Sequence, residues 1–354
     1  MDMTEFANAT PDYKEVLYEV QDWVARITIN RPQRYNAYST EALVELAHAF
    51  RRASFDDHVA VIVYSGAGER AFCTGGDVKE YEERYTARPR DYWKYMTLFG
   101  AYIESILNTG KPVIARLNGM AVGGGNESQL ACDLSIIAEH AFLRQVGTSV
   151  GSVAAGGATQ WLPIFVGDRR ARFMLMTNRP IPAYQALEWG LVTEVVPSVK
   201  KDGQFISHAS PEQIEAAQKG RDGYSIDLSM LDSAVDELCR ELIEKFPECM
   251  RYTKQQVNFW KDLAWHQTIG HARDWLSIHY SSWEPLEGMG AFVEKRPVDY
   301  LKLRQRAADG ASSEFRWGPY LQTCPSCGAR DLPSDFHYCG QCGAPLEQAV
   351  QAGR

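Results

Sequence analysis

The residues best suited to chemistry in this chain lie in two glycine-rich segments and one cysteine quartet. Phe72-Cys73-Thr74-Gly75-Gly76-Asp77 and Asn118-Gly119-Met120-Ala121-Val122-Gly123-Gly124-Gly125-Asn126-Glu127 each follow a strand-like run and open a helix-like one. Glycine lets a backbone approach a ligand closely, and free N–H groups at a helix start bind negative charge. Two such N–H groups facing each other would make an oxyanion hole, in which each donor is worth roughly 3–4 kcal/mol of transition-state stabilisation. Serving only tight turns and helix–sheet packing is the plainer use of such glycines. Neither segment fits G-x-G-x-x-G or a P-loop, which disfavours a nucleotide fold. Glu127 falls in the first turn after the second segment. There it would either favour the helix dipole, at about 0.3–1 kcal/mol, or act as a general acid or base beside the donors.

Cys324, Cys327, Cys339 and Cys342 form C-x2-C-x11-C-x2-C, two knuckles turning on Pro325-Ser326 with Gly328 and on Gly340-Gln341 with Gly343. This spacing suits a structural, tetrahedral zinc ribbon with a closed shell. A disulfide pair and an iron–sulfur site are the alternatives, and His337 could replace one thiolate. Cys73, Cys132, Cys239 and Cys249 are scattered and read as small buried hydrophobes.

Something must position these groups, and the pattern around them alternates strand and helix. Val24–Ile29 alternates like a half-buried strand, and Arg31-Pro32 ends it. Ser39 or Thr40 can cap a helix bearing Leu43, Leu46, Ala47 and Phe50 on one face. Val59–Tyr64 is a β-branched run suited to a strand covered on both sides. Helical spacing over Tyr92–Leu107, a strand at Lys111–Leu117 and another at Leu134–Ala138 complete an α/β reading of layered βαβ type. The expected organisation is a core over 11–200, an inserted polar loop over 201–227 and a helical region over 228–308. A linker over 309–323 and the cysteine ribbon over 324–345 follow.

The chain has 354 residues, 45% apolar and 23% charged, enough for one large domain with an appendage. Its net charge of −8 offers no basic surplus for nucleic acid. Residues 1–10 carry no apolar run, so neither a signal peptide nor a membrane span is expected. A reduced, cytoplasmic compartment fits the thiols.

From about residue 11 to 308 the chain resembles the crotonase (enoyl-CoA hydratase/isomerase) superfamily. The strings that carry the resemblance are Ile29-Asn30-Arg31-Pro32 with Asn36-Ala37, then Ala71 to Asp77, Asn118 to Glu127, Gly156-Gly157-Ala158-Thr159, and Ala186 to Val192 with Val195-Val196-Pro197. The resemblance implies a ClpP-like ββα spiral core with C-terminal helices that pack across subunits of a homotrimer or homohexamer. It implies an acyl-CoA thioester substrate and no redox cofactor. The N–H groups of Gly76 and Gly124 would hold the thioester oxygen as an enolate, with Glu127 as the catalytic carboxylate. Arg34, Tyr35 and Ala37 would lie near the pantetheine and phosphates, with Thr74, Gly75 and Asp77 completing the coenzyme A set. The second glutamate of the hydratases falls at Gly147, which cannot transfer a proton.

Flanking stretches resemble one branch of the superfamily, the ring-opening hydrolases of cyclic oxo-enoyl-CoA of the 6-oxocyclohex-1-ene-1-carbonyl type. They include Phe50 to Ser54, Lys79-Glu80-Tyr81, Tyr95-Met96, Phe246-Pro247-Glu248-Cys249 and Val298-Asp299-Tyr300. That branch also has glycine where Gly147 stands. It would leave Gln145 and Ser152 to position water and Tyr81 to contact substrate. Asp77 departs from the branch, which has asparagine there, so hydration or dehydration of another cyclic or branched acyl-CoA is the alternative. A coenzyme A-binding scaffold is the non-enzymatic reading, and retention of Glu127 and both glycines counts against it. The ribbon could be a stabilising tail, an oligomer contact or a docking site for a protein partner.

Overall fold

Val16–Gln21 (β1) and Val24–Ile29 (β2) pair antiparallel, with Val16 opposite Ile29 and Gln21 opposite Val24. The computed structural model that shows this describes residues 12–314, 320–330, 332–333 and 336–346. Ser39 caps α1 (Thr40–Phe55), its hydroxyl accepting from the Ala42 N–H at 3.1 Å. Leu43, Leu46, Ala49, Phe50 and Ala53 then form the buried stripe of that helix, as a 3.6-residue period requires.

The next elements repeat a pattern in which each turn gives one strand to each of two sheets. Val61–Gly66 (β3) and Ala71–Cys73 (β4) are followed by helices α2 (Val78–Arg84) and α3 (Pro89–Leu107). Val113–Leu117 (β5) and Met120–Val122 (β6) are followed by α4 (Gly124–Ala131). Leu134–Ala138 (β7) and Phe142–Arg144 (β8) lead to α5 (Gly147–Val150), α6 (Ala158–Val166) and α7 (Asp168–Thr177). Ile181–Pro182 (β9), α8 (Ala183–Glu188) and Glu194–Val196 (β10) close the run. One sheet has the order β1-β2-β3-β5-β7-β10, parallel from β2 onward, and the other β4-β6-β8-β9, parallel through β8. All six residues of β3 are buried, which is what its unbroken Val-Ile-Val-Tyr run predicts for a parallel strand covered on both faces.

The polar stretch 201–227, expected as an irregular loop, is ordered. Val199–Lys201 (β11), Gln204–Ile206 (β12) and Tyr224–Ile226 (β13) form an antiparallel sheet of order β12-β11-β13. Helix α9 (Pro211–Gln218) sits within it, started by a reciprocal capping box between Ser210 and Gln213. Strands of three residues are too short to show a period, so composition alone read as loop.

Helix α10 (Ser229–Ile243) packs Leu231, Val235 and Cys239 against Val63, Ile114 and Ile136 of the larger sheet. Each such side chain contributes about 1.5–3 kcal/mol of burial. Helices α11 (Pro247–Val257), α12 (Phe259–His279), α13 (Trp283–Glu294) and α14 (Tyr300–Ala308) follow. Of the scattered cysteines, Cys73, Cys132 and Cys239 are buried as expected, but Cys249 on α11 is exposed. Burial pushes the Cys73 and Cys132 thiols up to about 12, which makes them inert packing groups.

The chain divides into two units. The first comprises the residues up to Asp77 with Tyr95–Arg273, and the second comprises Val78–Lys94 with Asp274 onward. In the second, α2 packs along α13, and Tyr81 lies edge-on to Tyr92 and Tyr280, which stack at 3.5 Å. This unit also holds the cysteine quartet, with Tyr320–Gln322 (β14) paired to Leu332–Pro333 (β15). The expected linker lies partly outside the described residues, at 315–319. Among the described residues no helix is long and apolar enough to cross a membrane.

Candidate active site

β4 and β6 are parallel neighbours, so the loops that leave their C-terminal ends emerge side by side. Gly75, at φ +86, brings the first loop so close to the second that a Cβ on it would sit 2.9 Å from the Gly124 nitrogen. The next residue, Gly76, bridges Tyr38 in parallel register. In that bridge Tyr38 N–H donates to the Gly75 oxygen at 2.9 Å and Asp77 N–H to the Tyr38 oxygen at 3.0 Å. The Gly76 N–H therefore points away from the bridge. On the second loop Gly123, at φ 55 and ψ −125, adopts a backbone conformation open mainly to glycine and turns the chain into α4. The first bond of that helix is Glu127 N–H to the Gly123 oxygen, 3.1 Å, which leaves the first-turn Gly124 N–H without an intrahelical partner. The Tyr38 hydroxyl packs against this start, since a Cβ on Gly124 would lie 1.8 Å from it.

Glu127 follows one turn later and is buried. Its Oε1 accepts the Gly156 N–H at 2.9 Å and the Ala158 N–H at 3.2 Å, both at the start of α6. Desolvation raises its pKa to about 7, against the pull of those two donors toward the carboxylate. A carboxyl poised there can take up and release a proton near neutrality. Gly156 admits no side chain, because a Cβ would sit 1.9 Å from the Phe99 ring and 3.0 Å from Glu127 Oε2.

The other expected groups fall as follows. Gln145 is buried at the end of β8, with Nε2 3.5 Å from the Gly123 oxygen and Oε1 without a partner among the described residues. Ser152 donates its N–H to the Gly147 oxygen at 2.9 Å. Arg34 and Tyr35 are exposed and Ala37 is buried, its oxygen accepting from Arg31. Thr74 reaches the Tyr35 oxygen at 3.2 Å, tying these stretches together. Asp77 forms an ion pair with Arg31 at 3.1 Å. Tyr81 belongs to the second unit, in its tyrosine cluster.

Three features escape a reading by spacing alone. Arg70 stacks on Tyr35, 4.7 Å from the ring centroid, and donates to its hydroxyl at 3.0 Å. Tyr38 sits against the Gly124 donor. The N–H groups of Gly156 and Ala158 hold Glu127. Only the string Gly156 to Thr159 hinted at the last, and it carried no assigned role.

The profile of the enoyl-CoA hydratase/isomerase family matches residues 19–221. A 6-oxocyclohex-1-ene-1-carbonyl-CoA hydrolase of Geobacter metallireducens is 37% identical over 311 residues, covering 81% of each chain. The chain belongs to the enoyl-CoA hydratase/isomerase, or crotonase, family. It is an enzyme of that superfamily and has its fold. A hydrolase of the same name from Thauera aromatica is 35% identical over 320 residues, covering 83% of this chain and 84% of its own. Among solved structures, an enoyl-CoA hydratase/isomerase from Xanthobacter autotrophicus superposes with a TM-score of 0.66 at 24% identity, over 84% of this chain and 98% of that one. An enoyl-CoA hydratase from Bacillus anthracis gives 0.58 at 28% identity, over 81% of this chain and 99% of its own.

The cysteine quartet is an addition to this crotonase chain. Its four sulfurs lie within 4.8 Å of one another. The Cys324–Cys342 and Cys327–Cys339 separations are 3.5 and 3.7 Å, too long for disulfides and close to the edge, about 3.8 Å, of a tetrahedron with zinc–sulfur bonds of about 2.3 Å. The two knuckles are built alike. Gly328 N–H returns to the Cys324 oxygen at 3.0 Å and Gly343 N–H to the Cys339 oxygen at 2.8 Å, each glycine at positive φ. Backbone N–H groups of Cys327 and Ser326 aimed at the Cys324 sulfur lower its pKa, which favours the thiolate a metal needs. The donor set therefore fits a tetrahedral, thiolate-binding ion.

Proposed function

We propose that this crotonase-family enzyme is a hydrolase that opens the ring of a cyclic oxo-enoyl-CoA, of the 6-oxocyclohex-1-ene-1-carbonyl-CoA type. The observation that carries the reading is one buried carboxyl with a pKa near 7, a helical turn from the Gly124 donor, with glycine at position 147. A single-carboxylate site is ill-suited to hydration that needs two glutamates. The names of the relatives from Geobacter and Thauera support the same substrate.

In this reading the N–H groups of Gly76 and Gly124 hold the thioester oxygen. Water adds to the β-carbon and passes a proton to Glu127, and the electron pair of the double bond moves onto the thioester enolate. Glu127 returns the proton to the α-carbon. A second water then attacks the ring ketone, again giving up a proton to Glu127. The bond between that carbon and the α-carbon breaks, its electron pair forming the same enolate, which is protonated at the α-carbon. The product has gained two waters and is an open-chain hydroxy acid thioester. Gln145 and Ser152 position water. Arg34, Tyr35, Ala37, Thr74, Gly75 and Asp77, with Arg70, bind coenzyme A.

The quartet Cys324, Cys327, Cys339 and Cys342 holds a structural zinc, the ribbon serving as a stabilising tail or partner contact. Phe246, Val257, Phe259 and Trp260, exposed on and around α11 and α12, support packing of the C-terminal helices between subunits of a trimer or hexamer in the cytoplasm. Mass spectrometry of products formed from 6-oxocyclohex-1-ene-1-carbonyl-CoA in 18O-labelled water tests the reaction. Gain of two waters with ring opening is expected. Gain of one water would replace the hydrolase by a hydratase, and an unchanged substrate would remove this acyl group from consideration.

A further inference from the structure

Position 147 invites a simple account, in which glycine merely lacks the carboxylate of the hydratases. The geometry is more specific. Gly147 opens α5 with no positive φ, so nothing in its own backbone requires glycine. What requires it is space. A Cβ there would lie 2.9 Å from the Ser152 oxygen and 3.2 Å from the Ala154 nitrogen, both backbone atoms. The chain folds back over this point. Ser152 N–H donates to the Gly147 oxygen at 2.9 Å, and Gly151 makes the left-handed turn between them. The same strand of backbone runs on through Ala155 to Gly156 and Ala158, whose N–H groups hold Glu127 Oε1. Thr159 N–H anchors it by returning to the Ala154 oxygen at 3.0 Å.

We infer that Gly147 is a positioning residue for Glu127. The backbone of residues 152–154 occupies the space of any side chain at position 147, and the contact sets the path that delivers the Gly156 and Ala158 N–H groups to the catalytic carboxylate. The site has therefore not simply lost a second glutamate. The volume where that side chain would start is used to hold the first. A side chain at 147 must push the 152–154 backbone away and loosen both donors. Those donors are the polar groups acting on Glu127, and no ionisable side chain contributes to its shift.

The test is the alanine variant, which adds no charge. Hydrogen bonds to the ionised form lower a carboxyl pKa, so losing one or both raises it. Gly147→Ala is expected to move the acid limb of the pH–rate profile upward by about one unit from near 7 and to lower kcat at neutral pH about fivefold. KM and coenzyme A affinity should stay within about twofold, since no binding group has moved. Gly147→Glu is expected to show the same shift and to gain no hydration of crotonyl-CoA. A Gly147→Ala enzyme with the wild-type acid limb, or a Gly147→Glu enzyme that hydrates crotonyl-CoA, would overturn the inference. Should neither variant fold, hydrogen exchange of the wild-type peptide spanning 152–160 decides instead. Protection of the Gly156 and Ala158 amides is expected to fall in Glu127→Ala, and free exchange in the wild type would refute the packing. The inference rests on Glu127 being the catalytic carboxylate. If the wild type leaves the ring substrate unchanged while the amides stay protected, the proposed reaction fails and the packing stands.

Discussion

Glu127 is placed where its proposed role in catalysis conflicts with stability. Its ordinary pKa is 4.5 and burial raises it to about 7 in the folded chain. Between those values the folded state binds more protons than the unfolded state, so stability falls as pH rises through that window. That rise in pKa corresponds to about 3 kcal/mol of stability, present below pH 4.5 and lost by about pH 7. Glutamine at this position keeps the acceptor for the two N–H groups and removes the charge. Glu127→Gln should therefore melt at higher temperature than the wild type at pH 8 and at nearly the same temperature at pH 4.5. Its kcat should fall by about 10²- to 10⁴-fold, the usual contribution of a general acid or base. Calorimetry at the two pH values with a single-turnover assay checks both. Equal melting at pH 8 would mean that the carboxyl is not desolvated, and unchanged kcat would remove it from the chemistry.

At the scale of elements the site is a meeting of two strand ends with two helix starts, which contribute backbone groups around the one side chain of Glu127. β4 and β6 deliver the Gly76 and Gly124 donors, and α6 delivers the pair that holds Glu127. The start of α4 is confined, because a Cβ on Gly124 would lie 1.8 Å from the Tyr38 hydroxyl and 2.9 Å from its ring. Gly124→Ala must displace that helix start, and loss of an aligned oxyanion donor lowers kcat by about 10²- to 10³-fold. Coenzyme A binding should persist, because Arg34, Tyr35 and Arg70 lie on other loops. A kcat within threefold of the wild type would show that Gly124 is not a donor. The same geometry explains what could be read from sequence. The two glycine segments were legible as turns because each is one short string, and the structure brings the two strings together with Glu127 in the second. The hold on Glu127 was not, since Gly156 and Ala158 lie about thirty residues away and act through N–H groups that every residue possesses. The stacking of Arg70 on Tyr35 likewise depends on two loops meeting in space. Segment 201–227 read as loop because its strands have three residues each, too few to establish a two-residue alternation. Cys249 is exposed because it sits on the outer side of α11, a helix with Lys254 as its only buried residue.

For the whole molecule the question is what holds the cysteine module together. Its core consists of buried Cys324, Cys339 and Leu346, with Ala329, Leu332, Phe336 and Ala344 packed against them. Three buried hydrophobic cluster residues among those described, two of them cysteines, make a very small core for a module of this length. A structural zinc contributes about 10–16 kcal/mol in comparable modules, far more than so small a core supplies. The framework around the two glycine loops and Glu127 is of another kind, with two sheets and the α10 cluster supplying burial that needs no metal. Chelation should therefore act locally. Purified protein should contain one zinc per chain by elemental analysis. A strong chelator should remove it, expose the 320–346 segment to protease and leave kcat on the ring substrate within about twofold. Cys324→Ser should reproduce the protease sensitivity without chelator. Retained resistance after metal loss would show that packing alone stabilises the ribbon. Loss of kcat in step with the metal would show that the module supports the active site, and would move it from the tail of the molecule into its catalytic machinery.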